Sequence, residues 1–276
     1  MAQLIVTKRD LENALQDALK RFSEHLEKRP DGALFRDLTH YLTGKLIELA
    51  WLRSPDKLAY FDPLLTAARA APIAVTTLNY DNGLELRAAA RDVPCDTGVG
   101  VWSDTGAFPS AATGIDLIKL HGSVKWWWDT PHGEDAFGLN YRALTEVKDD
   151  WLNEVSKQEY HPGGLGRQLG VIFGARNKLT AAGPFLDLLA KFKKLLDEHS
   201  HLLVIGYSFR DPHVNQCLAR WLHRDVNRRV TIVDRPQALE TDNPFCQART
   251  ANLGERLIFE PIGAEEGIAK HFGNRG

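Results

Sequence analysis

The sequence predicts an α/β fold in which a mostly parallel, doubly wound sheet follows an N-terminal helical annex. From residue 73 onward, apolar runs of strand length alternate with segments of helical periodicity, a pattern typical of parallel sheets covered by helices. Before residue 71 the apolar residues recur almost entirely at helical spacing. With 276 residues, 43% of them hydrophobic, the chain is long enough to bury one large core.

The first seventy residues form the predicted annex. Helical periodicity predicts one helix from Leu11 to Leu26, a second from Leu34 to Arg53 and a third that begins near Pro63. Only Gln3–Thr7 has some strand character. We therefore divide the chain into a helical segment, residues 1–70, and a sheet domain, residues 71–276, an arrangement that is also compatible with one continuous domain.

The sheet domain contains six predicted strands and several helices. The strands are expected at 73–78, 115–120, 171–174, 201–205, 230–234 and 256–260. Helices are expected at 84–91, 184–196 and 212–223, with weaker helical period at 144–157, a short helix near residue 248 and a helical tail. The segment 93–114 reads as irregular with a possible short hairpin, and Lys191, Lys193 and Lys194 are expected to face solvent.

The strand that ends at Ile205 leads into a polar turn. Gly206 breaks the apolar run, and Asp211 with Pro212 is a typical N-cap followed by a first helical residue. Because open parallel sheets bind their ligands at the carboxyl ends of their strands, we expect a pocket beside this turn.

Other strands also end in polar residues that core packing does not require. Asn79 and Asp81 follow the first strand, His121 follows the second, and Asp234 ends a later one. If these strands are parallel, their ends lie on one rim of the sheet. Each residue alone is ambiguous, since Asn-x-Asp is also typical of a turn or helix cap and histidine serves structural roles as readily as chemical ones.

Five short segments occur in a fixed order: Thr77–Asp81, Lys119–Ser123, Val171–Gly174, Gly206–Asp211 and Ile232–Asp234. In this order they resemble the sirtuin-like NAD-consuming domains, in particular the bacterial branch found in antiphage defence proteins. The resemblance implies a Rossmann-like sheet that binds NAD as a substrate and needs no metal.

The resemblance also implies roles for individual residues. His121 would be the catalytic histidine that acts on the nicotinamide ribose hydroxyls, Asn79 would orient the attacking water, and Asp81 would hold the nicotinamide carboxamide or support the pocket. The predicted cofactor-binding residues are Gly206, Ser208, Asp234, Ser123 and Arg210. Gly206 and Ser208 would face phosphates and ribose, and Asp234 the adenosine ribose. An arginine can bind a phosphate bidentately, although Arg210 is also typical of an exposed turn.

Two departures from the family pattern shape the functional prediction. Protein-deacetylating sirtuins carry two Cys-x-x-Cys pairs, and this sequence has none, which favours hydrolysis of NAD over a deacylase or ADP-ribosyltransferase acting on protein. The family's Gly-Ala-Gly-x-Ser phosphate loop is also missing before Ile73, and the cluster Gly163–Gly170 precedes a strand instead of following one.

The missing loop leaves two alternatives. Either the chain begins downstream of the true start, or it is a natural variant without NAD binding, a degenerate module that binds a partner protein or a nucleotide. Loss of a central strand would expose sheet edges, which favour a homo-oligomer or a partner protein.

Composition excludes several other classes. A net charge of -2 and the lack of a long basic run argue against nucleic-acid binding. Cys95, Cys217 and Cys246 are too widely spaced for a structural zinc site or a disulfide framework. No segment resembles a signal peptide or membrane span, so we expect a cytoplasmic protein.

The triplet Trp126–Trp128 is interpreted as a set of packing residues, since large apolar side chains usually fill cores.

Overall fold

A computed structural model describes residues 43–128, 143–148, 168–172, 183–236 and 254–273. The strands are β1 (Ile73–Thr77), β2 (Cys95–Asp96), β3 (Ile115–Lys119), β4 (Gly122–Trp128), β5 (Leu144–Glu146), β6 (Gln168–Val171), β7 (His201–Ile205), β8 (Arg229–Val233) and β9 (Leu257–Glu260). The α-helices are α1 (Asp62–Ala70), α2 (Gly83–Ala90), α3 (Val99–Thr105), α4 (Phe185–Glu198), α5 (Pro212–Arg224) and α6 (Ala264–Phe272). Short 3-10 helices span Pro55–Phe61 and Gly254–Arg256, and residues 43–50 are helical.

The described strands form three sheets of three strands each. Two are parallel, in the orders β1-β3-β2 and β7-β8-β9. The third is antiparallel, in the order β5-β4-β6. The parallel sheets and their helices confirm the predicted α/β class, whereas the antiparallel sheet was not predicted.

Helices cover both faces of the parallel strands, because successive side chains of a strand point to opposite faces. On β3, Ile118 packs in a cluster with residues of α4 and α5, whereas Leu117 packs in a second cluster with residues of α1 and α2. Helix α6 also joins the second cluster, and its Gly267 lies directly against Val233 of β8. This two-sided cover is the doubly wound arrangement that the alternating sequence pattern predicted.

Two local predictions were wrong. The segment 93–114 contains no hairpin, because β2 pairs in parallel with β3 and α3 follows it. This helix of seven residues is bounded by Gly98 and Gly106, both in the left-handed conformation, and is too short for its period to stand out. The described start of the predicted helix 144–157 is instead β5, because Leu144 pairs with Trp128 of β4 and buries its side chain.

Lys191 was predicted to face solvent, and this too was wrong. Its Nζ lies 2.6 Å from Oδ1 of Asp116 on β3 and donates to the carbonyl of Pro109 at 2.7 Å. A long lysine side chain can cross the apolar surface of its helix to reach a buried carboxylate, which helical periodicity does not reveal. Lys193 and Lys194 are exposed, as predicted.

The described part of the annex, residues 43–70, is largely helical, as predicted. Ile47 and Trp51 pack against Val124 and Trp127 of β4. The helix at 11–26 and the strand-like residues 3–7 lie outside the described residues, and the boundary at residue 70 stays a prediction. Among the helices that the structure describes, none is both long enough and apolar enough to cross a membrane.

Each parallel sheet has two edge strands whose outer sides carry no partner among the described residues, and β1 and β7 are one of these in each sheet. Strand β1 pairs with β3, and β7 pairs with β8. The middle strand β3 is buried at every position, whereas β1 is partly exposed along its whole length. Strand β7 likewise has a single buried residue, Val204. These two edges therefore have backbone groups available for pairing.

Candidate active site

The structure brings His121 and Asp211 into direct contact. His121 follows β3, and Asp211 precedes α5 on the loop after β7. Nε2 of His121 lies 3.0 Å from Oδ2 of Asp211, and the two residues are only 7% and 1% exposed. Two of the polar strand ends predicted from the sequence therefore meet at one site, although they are ninety positions apart in the chain.

The second carboxylate oxygen of Asp211 caps α5. Oδ1 accepts hydrogen bonds from the backbone N–H groups of His213 at 3.0 Å and Val214 at 3.3 Å. Pro212 occupies the first turn, where its missing N–H costs no helical hydrogen bond. This confirms the predicted helix start and shows that both oxygens of one buried carboxylate are used.

A small pocket opens beside this pair. Its walls combine the two polar residues with His213 and four apolar residues: Leu120, Phe185, Leu189 and Val214. His213 is a further polar group of this pocket that sequence reasoning missed, because a histidine inside a helix start carries no distinguishing pattern.

The loop after β1 lies next to the histidine. Asn79 is exposed, and its N–H donates to Oγ1 of Thr77 at 3.1 Å. Oδ1 of Asp81 accepts from the N–H of Gly83 at 2.9 Å, which is the turn interaction that the sequence left open. The structure therefore assigns Asp81 a turn contact, and its role toward a ligand stays a prediction.

Tyr80 is a site residue that sequence reasoning missed. Its ring centre lies 6.3 Å from that of His121, and its hydroxyl donates to the carbonyl of Ile172 at 2.7 Å. Burial, together with the negative charge of Asp211, raises the pKa of Tyr80 to about 12. The phenol is therefore neutral at physiological pH, and its packing supports one side of the histidine.

A buried ion pair underlies the same loop. Nζ of Lys119 lies 2.6 Å from Oε1 of Glu85 and also donates to the carbonyl of Asp81, and the lysine side chain is only 1% exposed. Burial raises the pKa of Glu85, and the charge of Lys119 partly offsets this effect. The pair thus holds the end of β3, the loop and α2 together. The sequence feature that could have revealed this pair is a lysine inside an apolar strand.

The loop after β7 has an unusual backbone. Gly206 has a φ of +64°, and its N–H donates to the carbonyl of Val233 at 2.9 Å. Phe209 also lies in the left-handed region, with a φ of +53°, and its side chain is buried. Ser208 and Arg210 are exposed on this loop. A non-glycine residue with positive φ persists only where surrounding contacts hold it.

Asn215 of α5 supplies such contacts. Its Nδ2 donates to the carbonyl of Phe209 at 2.6 Å, and its Oδ1 accepts from the hydroxyl of Tyr207 at 2.9 Å. Both bonds join the first two turns of α5 back to the loop that precedes it. The side chain therefore stabilises the strained backbone conformation.

Replacing Asn215 with alanine is expected to lower the free energy of unfolding by about 1 kcal/mol, because the partly buried carbonyl of Phe209 loses its donor. Chemical denaturation checks this value, with Gln216→Ala on the exposed side of the same helix as the control. A loss equal to that of the control would show that Asn215 does not hold the loop.

Two further predicted cofactor-binding residues are Ser123 and Asp234. Ser123 is fully buried, and its Oγ accepts from the N–H of Lys125 at 3.2 Å. Asp234 follows β8 and is partly exposed, and burial raises its pKa against the opposing effect of the Arg235 backbone N–H. Their ligand roles stay predictions.

Trp126 and Trp127 are buried, as expected of packing residues. In the described part of the chain, no cluster of three or more histidine, cysteine, aspartate or glutamate side chains is arranged to hold a metal ion.

The fold and site define an α/β protein with a histidine–aspartate pair at the carboxyl ends of its parallel strands. Residues 73–257 match the family model described as the SIR2-like domain. This match covers more than half of the chain, and the protein belongs to the SIR2-like domain family. The sequence-based recognition of a sirtuin-like domain is thus confirmed, while its assignment to the antiphage branch stays a prediction.

Comparison with solved structures finds sirtuins at low sequence identity. One structure, described as Sir2 with a p53 peptide and NAD+, is 16% identical with a TM-score of 0.42, covering 77% of this chain and 67% of that one. Another, described as the structural basis of sirtuin substrate affinity, is 14% identical with a TM-score of 0.39, covering 68% of this chain and 72% of that one. No curated protein matches the sequence.

Proposed function

We propose that this protein hydrolyses NAD+ to nicotinamide and ADP-ribose. The observation that carries the proposal is the contact between His121 and Asp211, which joins two predicted motifs of a SIR2-like domain at one pocket. A buried histidine oriented by a carboxylate is a common arrangement for proton transfer near neutral pH. Antiphage defence remains the predicted biological setting.

The residues around the loop after β7 fit a dinucleotide. At Gly206 no atom lies within 4 Å of the position that a Cβ would take, so a phosphate can approach the backbone closely. We assign Ser208 and Arg210, exposed on the same loop, to phosphate and ribose oxygens. Asp234, at the end of the neighbouring strand β8, is assigned to the adenosine ribose hydroxyls.

The proposed reaction breaks the bond between nicotinamide nitrogen and ribose C1′ and forms a bond from C1′ to the oxygen of water. The bonding electron pair leaves with nicotinamide, which becomes neutral, and one proton is released. His121 is assigned to the ribose hydroxyls and to proton transfer, and Asn79 to orientation of the water. Because the leaving group is neutral, positioning and electrostatics supply most of the acceleration.

The test is nicotinamide release from NAD+ by the purified 276-residue chain, measured together with NAD+ binding by calorimetry. We expect both release and binding. Binding without release would overturn the hydrolase proposal but retain a nucleotide-binding module. Absence of both would favour the alternative of a degenerate module that binds a partner protein. Deacylation of an acetylated peptide, assayed in parallel, would instead identify the third class.

We also propose that the outer edges of β1 and β7 take part in assembly, either of a homo-oligomer or with a partner protein. Both strands are partly exposed and carry no partner on that side within the described ranges. Size-exclusion chromatography with light scattering is expected to give more than the mass of one chain. A monodisperse monomer at all concentrations would rule out the homo-oligomer.

A further inference from the structure

We infer that Asp211 is a positioning residue that holds the proton of neutral His121 on Nε2 and leaves Nδ1 as the proton-accepting atom of the site. The tautomer follows from the geometry of the contact alone. Its catalytic consequence rests on the proposed function.

Hydrogen-bonding capacity decides which atom donates in the contact between His121 and Asp211. An ionised carboxylate only accepts hydrogen bonds, so Nε2 must be the donor across the 3.0 Å contact to Oδ2. A neutral imidazole carries one proton, which leaves the lone pair on Nδ1. Within the part of the chain that the structure describes, Nδ1 of His121 forms no hydrogen bond.

The position of Asp211 favours its negative charge. Oδ1 accepts from two backbone N–H groups at the start of α5, a helix of 13 residues. The partial positive charge at a helix N-terminus stabilises an anion there. The carboxylate is therefore held as an acceptor at both of its oxygens.

Helix capping alone does not explain the second contact. One side-chain oxygen is sufficient for an N-cap, and serine or asparagine caps a helix about as well as aspartate. Here the other oxygen contacts the buried imidazole of His121. The backbone of His121 is in turn held by a hydrogen bond from the N–H of Ile172 to the His121 carbonyl at 3.0 Å. The hydroxyl of Tyr207 further holds Asp211 through its carbonyl at 3.2 Å. The backbones of both residues are thus held by further hydrogen bonds.

The variant Asp211→Asn retains the role of this residue as the cap of α5 but changes its effect on the tautomer of His121. The asparagine oxygen can still cap α5, and its NH₂ group then faces Nε2 of His121. Because this group donates, Nε2 must accept and the proton moves to Nδ1. The lone pair at the proposed proton-accepting position is lost, as happens when the aspartate of a serine-protease triad is replaced by asparagine.

The first measurement is the ¹⁵N NMR spectrum of the His121 ring, assigned by comparison with His121→Gln, at a pH where the ring is neutral. We expect the proton on Nε2 in the native protein and on Nδ1 in Asp211→Asn. A native ring protonated at Nδ1 would overturn the inference, whether or not the protein hydrolyses NAD+. The native spectrum decides this point even if the variant fails to fold.

The second measurement is nicotinamide release by Asp211→Asn. We expect kcat to fall about 10²–10⁴-fold with a much smaller change in KM, because the base is lost while the pocket keeps its shape. Asp211→Ser, which retains a cap without imposing a tautomer, should lose less activity. Equal activity of Asp211→Asn and the native protein would overturn the catalytic part of the inference. Absence of release by the native protein would refute the proposed function and leave the tautomer to the NMR result.

Discussion

Replacing His121 with alanine is expected to lower kcat for nicotinamide release about 10²–10⁴-fold, the usual contribution of a positioned acid or base. The histidine is only 7% exposed and lies in the pocket wall. A rapid assay of released nicotinamide at saturating NAD+ gives kcat directly.

The controls separate chemistry from folding. Alanine leaves Oδ2 of Asp211 without the imidazole, so His121→Gln is made in parallel to supply a donor to that oxygen without a base. His223→Ala, at an exposed position near the end of α5, should retain full activity. A folded His121→Gln variant with more than about one tenth of native kcat would contradict the assignment.

Asn79→Ala should also lower the rate of nicotinamide release if Asn79 orients the attacking water.

The second large effect is expected from the buried ion pair. Lys119→Met should reduce the free energy of unfolding by about 3–5 kcal/mol, since it leaves a buried carboxylate without its partner. The lysine is 1% exposed and Glu85 is 6% exposed. Urea denaturation measures the loss. Lys194→Met, which removes an exposed lysine from an i,i+4 pair, is the matched control and should change stability by less than about 1 kcal/mol.

The stability loss of Lys119→Met is expected to depend on pH in one direction. The pKa of Glu85 is already raised by burial in the folded protein, and removal of Lys119 should raise that pKa further. A group whose folded-state pKa is raised stabilises the fold below its unfolded pKa, and this contribution is lost as the pH rises through the folded value. The loss in the free energy of unfolding caused by Lys119→Met should therefore be largest at neutral pH and become smaller at acidic pH. The double variant Lys119→Met/Glu85→Leu should recover most of the loss. A deficit that is independent of pH would contradict the unpaired carboxylate as its cause.

Much of the fold was predictable because its elements satisfy local rules. The run Ile73–Thr77 is mostly β-branched and ends at polar residues, and α4 repeats its apolar residues along one face. Asp211 and Pro212 marked the start of α5 by their side-chain chemistry. These signals depend on neighbouring residues only, and they do not require knowledge of the rest of the chain.

Elements stabilised by distant partners were not predictable. Strand β5 forms because Leu144 pairs with Trp128, and Lys191 is buried because Asp116 lies under α4. In both cases the local pattern suggested a helix or an exposed charge. Pairing across a sheet and burial against another element replaced those preferences, since tertiary contacts are stronger than local propensity.

The sequence by itself determined the α/β class, the turns at the strand ends and the SIR2-like family, because each depends on residue types at short spacing. Only the tertiary structure decided how the polar residues are combined. It brought His121 to Asp211 across ninety positions, enclosed Lys119 with Glu85 and buried Ser123 within β4. The physical reason is that sheet pairing and helix packing set the distance between residues far apart in the chain, and such distances leave no trace in local spacing.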